Sequence, residues 1–446
     1  AAPGLLRGLR RLDVVSLTIN SVVGAGVFAL PAGLAVSSGR WSLAVVFAAF
    51  AVVAVLALSL AEVASRFDVT GGPQYYAQHA FGPAAGFTVG WLFTVSRFAS
   101  HALIAQVMLD YAAALWPPLE EYWPRTAAFT LLMLALTIVN LRGVRQGAWA
   151  GNLLTFAKLL PLVAIALAGL WFAGWNNLPV AGPREPGGIA QGLQFALFAC
   201  FGFEVSAIVA GEMRDPRRDL AIGILGGLGV ACLLYLLLML ASFGVLADTA
   251  SHARPLVNVA EHFLGPAGGT WMAVAAVVSC AGGLSVSVLT SPRNMFALAE
   301  AGDLPRVFAA VHPAWRTPHV AIIVFAVLSW LVTITGTFRY LLELFVISRM
   351  LAYGSTSLAL IVLRRREGPA PVPVPGGPVI AIIALAACAG IVTTATWTSV
   401  RDVAIVIAAG FVIRALVRRR RAVRAAWPAL SPARRDPPAG SSRPTP

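Results

Sequence analysis

The chain has 33 Lys or Arg residues, and Lys158 is the one lysine among them. Arginine stays charged in proteins, whereas a lysine in apolar surroundings can release its proton. The position therefore reads as one that needs a titratable amine; the alternative is a lysine that clamps neighbouring helices through hydrogen bonds. A second kind of chemistry is offered by backbone. In Ser21 to Phe28 (SVVGAGVF), Gly24 and Gly26 stand where an apolar helix would normally carry Leu or Val. A helix interrupted there aims free N–H groups and a positive dipole end outward, which suits a carboxylate. The plainer reading is that these glycines let two helices pack closely. Gln194 to Glu212 (QFALFACFGFEVSAIVAGE) repeats the feature, with Gly202 and the carboxylate Glu204 at its centre. Arg97 and His101 lie one helical turn apart, and Arg349 is a third charge in an apolar stretch. Glu204 could pair with Arg97 or Arg349, and His101 could equally be a neutral, hydrogen-bonded interior residue.

The elements that must position these residues are membrane helices. Of the 446 residues 58% are hydrophobic and 12% charged, and the mean hydropathy is +0.79, too apolar for a soluble chain. Stretches long enough to span a bilayer, about 20 residues each, fall near 13–36, 42–65, 84–115, 124–140, 148–173, 189–211, 220–246, 269–299, 319–337, 339–363, 379–397 and 402–417. An all-α polytopic protein of about 12 transmembrane helices is expected. The formal charge of +14 has a sidedness that matters more than its size. With the N-terminus inside, the inner segments collect Arg7, Arg10, Arg11, Arg66, Arg142, Arg145, Arg214, Arg217, Arg218 and Arg364 to Arg366, among others, while the outer segments hold six arginines. That asymmetry places both termini in the cytoplasm and makes nucleic-acid binding an unnecessary idea.

Cys200, Cys232, Cys280 and Cys388 all fall inside expected spans without metal or disulfide spacing and read as buried free thiols. The first segment lacks a small-residue cleavage site, so no cleavable leader is expected. Asp68 to Gly90 reads as a cytoplasmic loop with a Gly-Gly turn and paired tyrosines, Met213 to Ile222 as a positive connector, and Ser291 to Pro318 as an amphipathic stub followed by turns. The chain divides into a cytoplasmic N-terminus (1–12), a first five-helix repeat (13–174), a second (189–366), two peripheral helices (379–417) and a disordered basic cytoplasmic tail (418–446). Interrupted helices at matching places, the first and the sixth, are what an inverted five-plus-five repeat produces.

Four stretches together resemble the amino acid, polyamine and organocation (APC) superfamily of permeases: VGAGVFALP at Val23 to Pro31, GGPQYYAQHAFGPAAGFTVGW at Gly71 to Trp91, FACFGFEVSAIVAGEMRDPRRDL at Phe198 to Leu220, and ALAEAGDLPRVFAAVHPAWRTP at Ala297 to Pro318. The resemblance implies helices one and six unwound at the substrate. It places the carboxylate of an amino acid on the amides of Val23, Gly24, Ala25 and Gly26, and the amine on carbonyls of the turn formed by Ala199, Gly202 and Phe203. Phe198 would be an aromatic gate, and His101 would meet the substrate side chain. Lys158 matches a fifth-helix lysine that in proton-coupled relatives occupies the place of a sodium ion. Arg97, Arg349 and Ser287 depart from the usual pattern.

The expected function is secondary active transport of a zwitterionic α-amino acid by alternating access in the cell's inner (plasma) membrane, coupled to a proton through Lys158 and Glu204. The alternatives are exchange without net proton movement, or a receptor or channel that binds the same ligand. The expected partners are the amino acid, the proton and membrane lipid. No cofactor or metal is expected, and no nucleophile with its base, metal spacing or phosphate loop suggests an enzyme.

Overall fold

The computed structural model describes residues 10–67, 72–142, 147–172, 182–183, 186–208, 213 and 216–430. The first residues of the N-terminal segment, Asp68 to Gly71, Arg145, Arg184, Arg214 and the end of the basic tail (431–446) lie outside the described residues.

The first apolar segment is two helices. α1 (Arg11–Val22) stops at Val23, and α2 (Gly26–Ser37) starts after Gly24 and Ala25. α3 (Ser42–Ala64), α4 (Gly72–Phe81), α5 (Pro83–Ala112), α6 (Tyr122–Arg142) and α7 (Gly147–Phe172) follow. The second interruption separates α8 (Gly188–Cys200) from α9 (Glu204–Ile208) at residues 201–203, where Gly202 takes φ 127°, a conformation that Cβ-bearing residues avoid. α10 (Pro216–Val245), α11 (Pro255–Glu300), α12 (His319–Thr335), α13 (Phe338–Glu367), α14 (Gly377–Thr393) and α15 (Trp397–Leu430) complete the order.

Packing sorts these helices into layers. α5 lies between α11 and α13, and α7 lies on α10 and α11. The interrupted pair is threaded through this frame, α1 along α10 and α2 along α8. Buried aliphatic and aromatic side chains of these helices form one continuous core, while Leu131, Leu160, Trp171, Ile382 and Trp397 remain outward and exposed, as lipid-facing positions are. The protein is an all-helical, multi-span membrane protein. Every one of the twelve expected stretches contains helix among its described residues, but by length and apolarity alone seven stretches qualify as spans, or eight if the sharply bent pair α14 and α15 counts as one. The shortfall has local causes: the described apolar part of the fifth segment is Lys158–Trp171, and α12 is only 17 residues long.

Three stretches differ from the sequence reading. The Gly-Gly turn region contains α4, with Pro73 in its first turn and Tyr76 buried and stacked 5.3 Å from Phe67. Ser291 to Glu300 is not a separate stub but the end of α11, whose bend is further back, at Gly265 (φ 66°). α15 continues to Leu430, through residues expected to be tail; Ala and Arg are good helix formers and dominate that run. At the end of the molecule bearing α1's start, charges tie elements together. Arg11 Nε meets Asp219 at 2.9 Å, Arg364 Nη2 donates to buried Glu62 at 2.7 Å, and Asp303 accepts from Arg414 and Arg418 at 2.7 and 3.0 Å. All four free thiols are unpaired, with Cys232 partly exposed and the other three buried.

Candidate functional site

The two interruptions meet. A Cβ added to Gly26 would lie 2.5 Å from Ala199 Cα, and one added to Gly202 would lie 2.4 Å from the Ser21 carbonyl oxygen. Only glycine permits this approach of backbone to backbone, so at Gly26 both readings hold together, the helix broken and the helices close, whereas Gly24 has nothing nearer than Val22 O at 3.9 Å. A hydrogen bond between Thr18 Oγ1 and Ser206 Oγ, 2.8 Å long, joins the outer flanks of the two breaks.

Broken helices expose carbonyls that have lost their i+4 partners. The Gly24 N–H turns to Val22 O (2.8 Å) instead of Asn20 O. Lys158 Nζ takes the vacated place, donating to Asn20 O at 2.8 Å. The Tyr235 hydroxyl, buried on α10, serves both breaks at once, with Val22 O at 3.0 Å and Ala199 O at 2.9 Å. On the far side Tyr111 donates to Phe28 O at 3.0 Å. The second break carries its own acid. Glu204 Oε2 accepts from the Gly202 N–H at 3.0 Å, and Oε1 accepts from Arg349 Nη1 at 2.6 Å, with both side chains almost wholly buried. Arg349 also reaches the Tyr353 hydroxyl (3.2 Å) and lies over the Phe93 ring at 4.5 Å.

Between the breaks is a cavity of about 270 Å³, suited to a small ligand. Gly24, Ala25, Gly26, Phe198, Gly202, Lys158 and Glu204, all named from the sequence, line it. Val23, Ala199 and Phe203 are buried behind the lining; Ala199 contributes through its carbonyl, held by Tyr235. His101 is a correction. It is fully buried away from the cavity, its Nε2 3.2 Å from Met133 Sδ and its ring edge-on to Phe325. The cavity stripe on α5 is Arg97, Ser100 and Ile104, the i, i+3, i+7 positions of one helix face. His101, at i+4 from Arg97, falls on the flank of that stripe turned toward α6 and α12. α11 adds Ser279, Cys280, Gly283 and Ser287, a pattern of small and polar residues of which the sequence reading named Cys280, as a thiol, and Ser287.

These features define a multi-span membrane protein with a small polar site between two broken helices. Most of the chain, residues 9–413, matches the model of the family described as amino acid permease. An uncharacterized transporter of Mycobacterium tuberculosis is 30% identical over 322 residues, covering 70% of each chain. The serine/threonine exchanger SteT of Bacillus subtilis is 27% identical over 379 residues (81% of this chain, 84% of SteT). The branched-chain amino acid permease BcaP of the same organism is 28% identical over 442 residues (93% and 94%). The chain belongs to the amino acid permease family of the APC superfamily, whose members are transporters and not enzymes.

Proposed function

We propose that the protein moves an α-amino acid across the inner membrane by alternating access, with a proton carried by Lys158. The finer architecture we assign is twelve spans in two inverted five-helix repeats plus two peripheral helices, with both termini cytoplasmic; the arginine asymmetry and the paired breaks support it. The substrate carboxylate would lie on the first N–H groups of α2, at Gly26 and Val27, and the ammonium near carbonyls of the second break. Phe198 and Phe201 line the cavity on that side and suit a gate.

The observation that carries the proton assignment is the bond from Lys158 Nζ to Asn20 O. A charged amine holds that carbonyl roughly twice as strongly as a neutral one, so the charge on one side chain is tied to the geometry of the break that receives the substrate. Glu204, the other residue expected to carry a proton, is supported less in that role, because both its oxygens are engaged in holding the second break. Reconstituted protein is expected to take up labelled amino acid faster under an inward proton gradient, and Lys158→Ala to abolish that stimulation. Uptake indifferent to the gradient in the unaltered protein removes the coupling claim.

The relation to SteT, named an exchanger, favours a second reading, exchange without net proton flow. Preloading liposomes with unlabelled amino acid separates the two: an exchanger is silent without internal substrate, whereas a proton symporter accumulates label in empty vesicles.

A further inference from the structure

The charges lining the cavity do not balance. Among the described residues they are Arg97, Lys158 and Arg349 against a single carboxylate, Glu204. Both oxygens of Glu204 are taken, one by Arg349 and the other by the Gly202 N–H, so it attracts Arg97 only from a distance, without a direct bond. Arg97 has no hydrogen-bond or ion-pair partner among the described residues, although it lines the cavity from the middle of α5. Two further polar atoms beside it are unmet. Ser279 Oγ and Arg349 Nε are buried, without a partner among the described residues. Arg97 is half-buried in the cavity wall, and a guanidinium at membrane depth is costly unless water or a carboxylate meets it. An amino acid with a neutral side chain cannot supply one, because its own carboxylate and ammonium cancel and its carboxylate is claimed by the first break.

We infer that the substrate carries a second carboxylate, in its side chain, and that Arg97 is the residue that binds it, so that the site selects acidic amino acids such as glutamate or aspartate over their amides. This rests on the amino acid transport reading and adds the substrate class to it. The planar guanidinium can hold a carboxylate by two parallel N–H donors, and Ser279 offers a further hydroxyl on the facing helix α11. With the acid in place the charges of Arg97 and Arg349 are each met by one carboxylate. Cationic amino acids are disfavoured by the same count.

The test is ligand binding by the purified full-length protein in nanodiscs, read by calorimetry and by thermal shift with glutamate, aspartate, glutamine and asparagine. The expected result is an acid bound at least roughly thirtyfold more tightly than its amide, the discrimination that a buried charge pair provides. Arg97→Gln should bring acid and amide to within a few-fold of each other, while Arg97→Lys keeps part of the preference. An amide that binds as tightly as its acid to the unaltered protein overturns the inference even if the variants do not fold, and leaves amino acid transport standing. A preference for the acid that survives in Arg97→Gln overturns the role of Arg97. If none of these four ligands nor any other amino acid binds, the transport reading falls together with the inference.

Discussion

The first break and the second solve one physical problem in opposite ways. Both leave peptide groups without helical partners at membrane depth, where water is scarce. Between Val23 and Ala25 there is no charged side chain, and the orphaned carbonyls are met from outside, by Lys158 on α7 and Tyr235 on α10. Residues 201–203 are held from within by Glu204, which begins α9, and Glu204 is itself pinned by Arg349 on α13. Donors from other helices can be withdrawn when those helices move. A buried carboxylate locked to a guanidinium cannot be released without leaving two charges unpaired. The difference teaches that the first break is the adjustable half of the site and the second the fixed half.

The largest expected effect is therefore at Glu204. Glu204→Gln should leave Arg349 buried and uncompensated, costing about 3–5 kcal/mol, seen as a steep fall in melting temperature and loss of binding. Glu204→Leu combined with Arg349→Met removes both charges; it should recover much of the stability but not the transport, because Gly202 still lacks its acceptor. If the single substitution melts like the unaltered protein, the second break is not locked by charge and the contrast collapses.

Next in size is the contact between the breaks. Gly26→Ala places a methyl 2.5 Å from Ala199 Cα, against backbone that has no room to yield, whereas the same methyl on Gly24 has nothing nearer than Val22 O at 3.9 Å. Overpacking of the first kind costs roughly 1–3 kcal/mol. Gly26→Ala should lower stability and binding together; Gly24→Ala should leave the melting temperature nearly unchanged. Equal melting of the two variants would mean the breaks do not need to touch.

Much of this contrast was legible in the sequence because it is written in residue types that membranes seldom tolerate. Gly24, Gly26 and Gly202 announced broken helices, and the solitary Lys158 marked an amine that the structure puts on Asn20 O beside the first break. Glu204 was visible as a carboxylate in need of a partner, but the choice between Arg97 and Arg349 depends on how α5 and α13 are rotated against α9, which spacing along the chain does not encode. The same limit applies to His101: both i+3 and i+4 from Arg97 are near its face, and the rotation of α5, not the spacing, puts Ser100 on the cavity and His101 in the interior against Met133, the alternative the sequence had left open. Tyr235 gave no signal at all, since a tyrosine in an apolar helix looks like core until its hydroxyl is seen between two carbonyls. α4 was missed because Gly-Gly-Pro reads as a turn, although Pro in the first turn of a helix is equally at home.

Tyr235→Phe is the smallest of these perturbations and the one that sharpens the comparison most. It keeps the ring and its edge contact with Phe50, whose centroid is 5.5 Å away, and removes one O–H shared by Val22 O and Ala199 O. Val22 O retains the Gly24 N–H, so the loss should stay near 1 kcal/mol. Hydrogen exchange then tells which half depended on it. If the first break is the adjustable one, amides of residues 23–26 should exchange faster in Tyr235→Phe, while those of residues 201–203, held by Glu204, should change little. Equal acceleration at both breaks would show that one hydroxyl couples them, and the two halves would then have to be treated as a single element that opens and closes together.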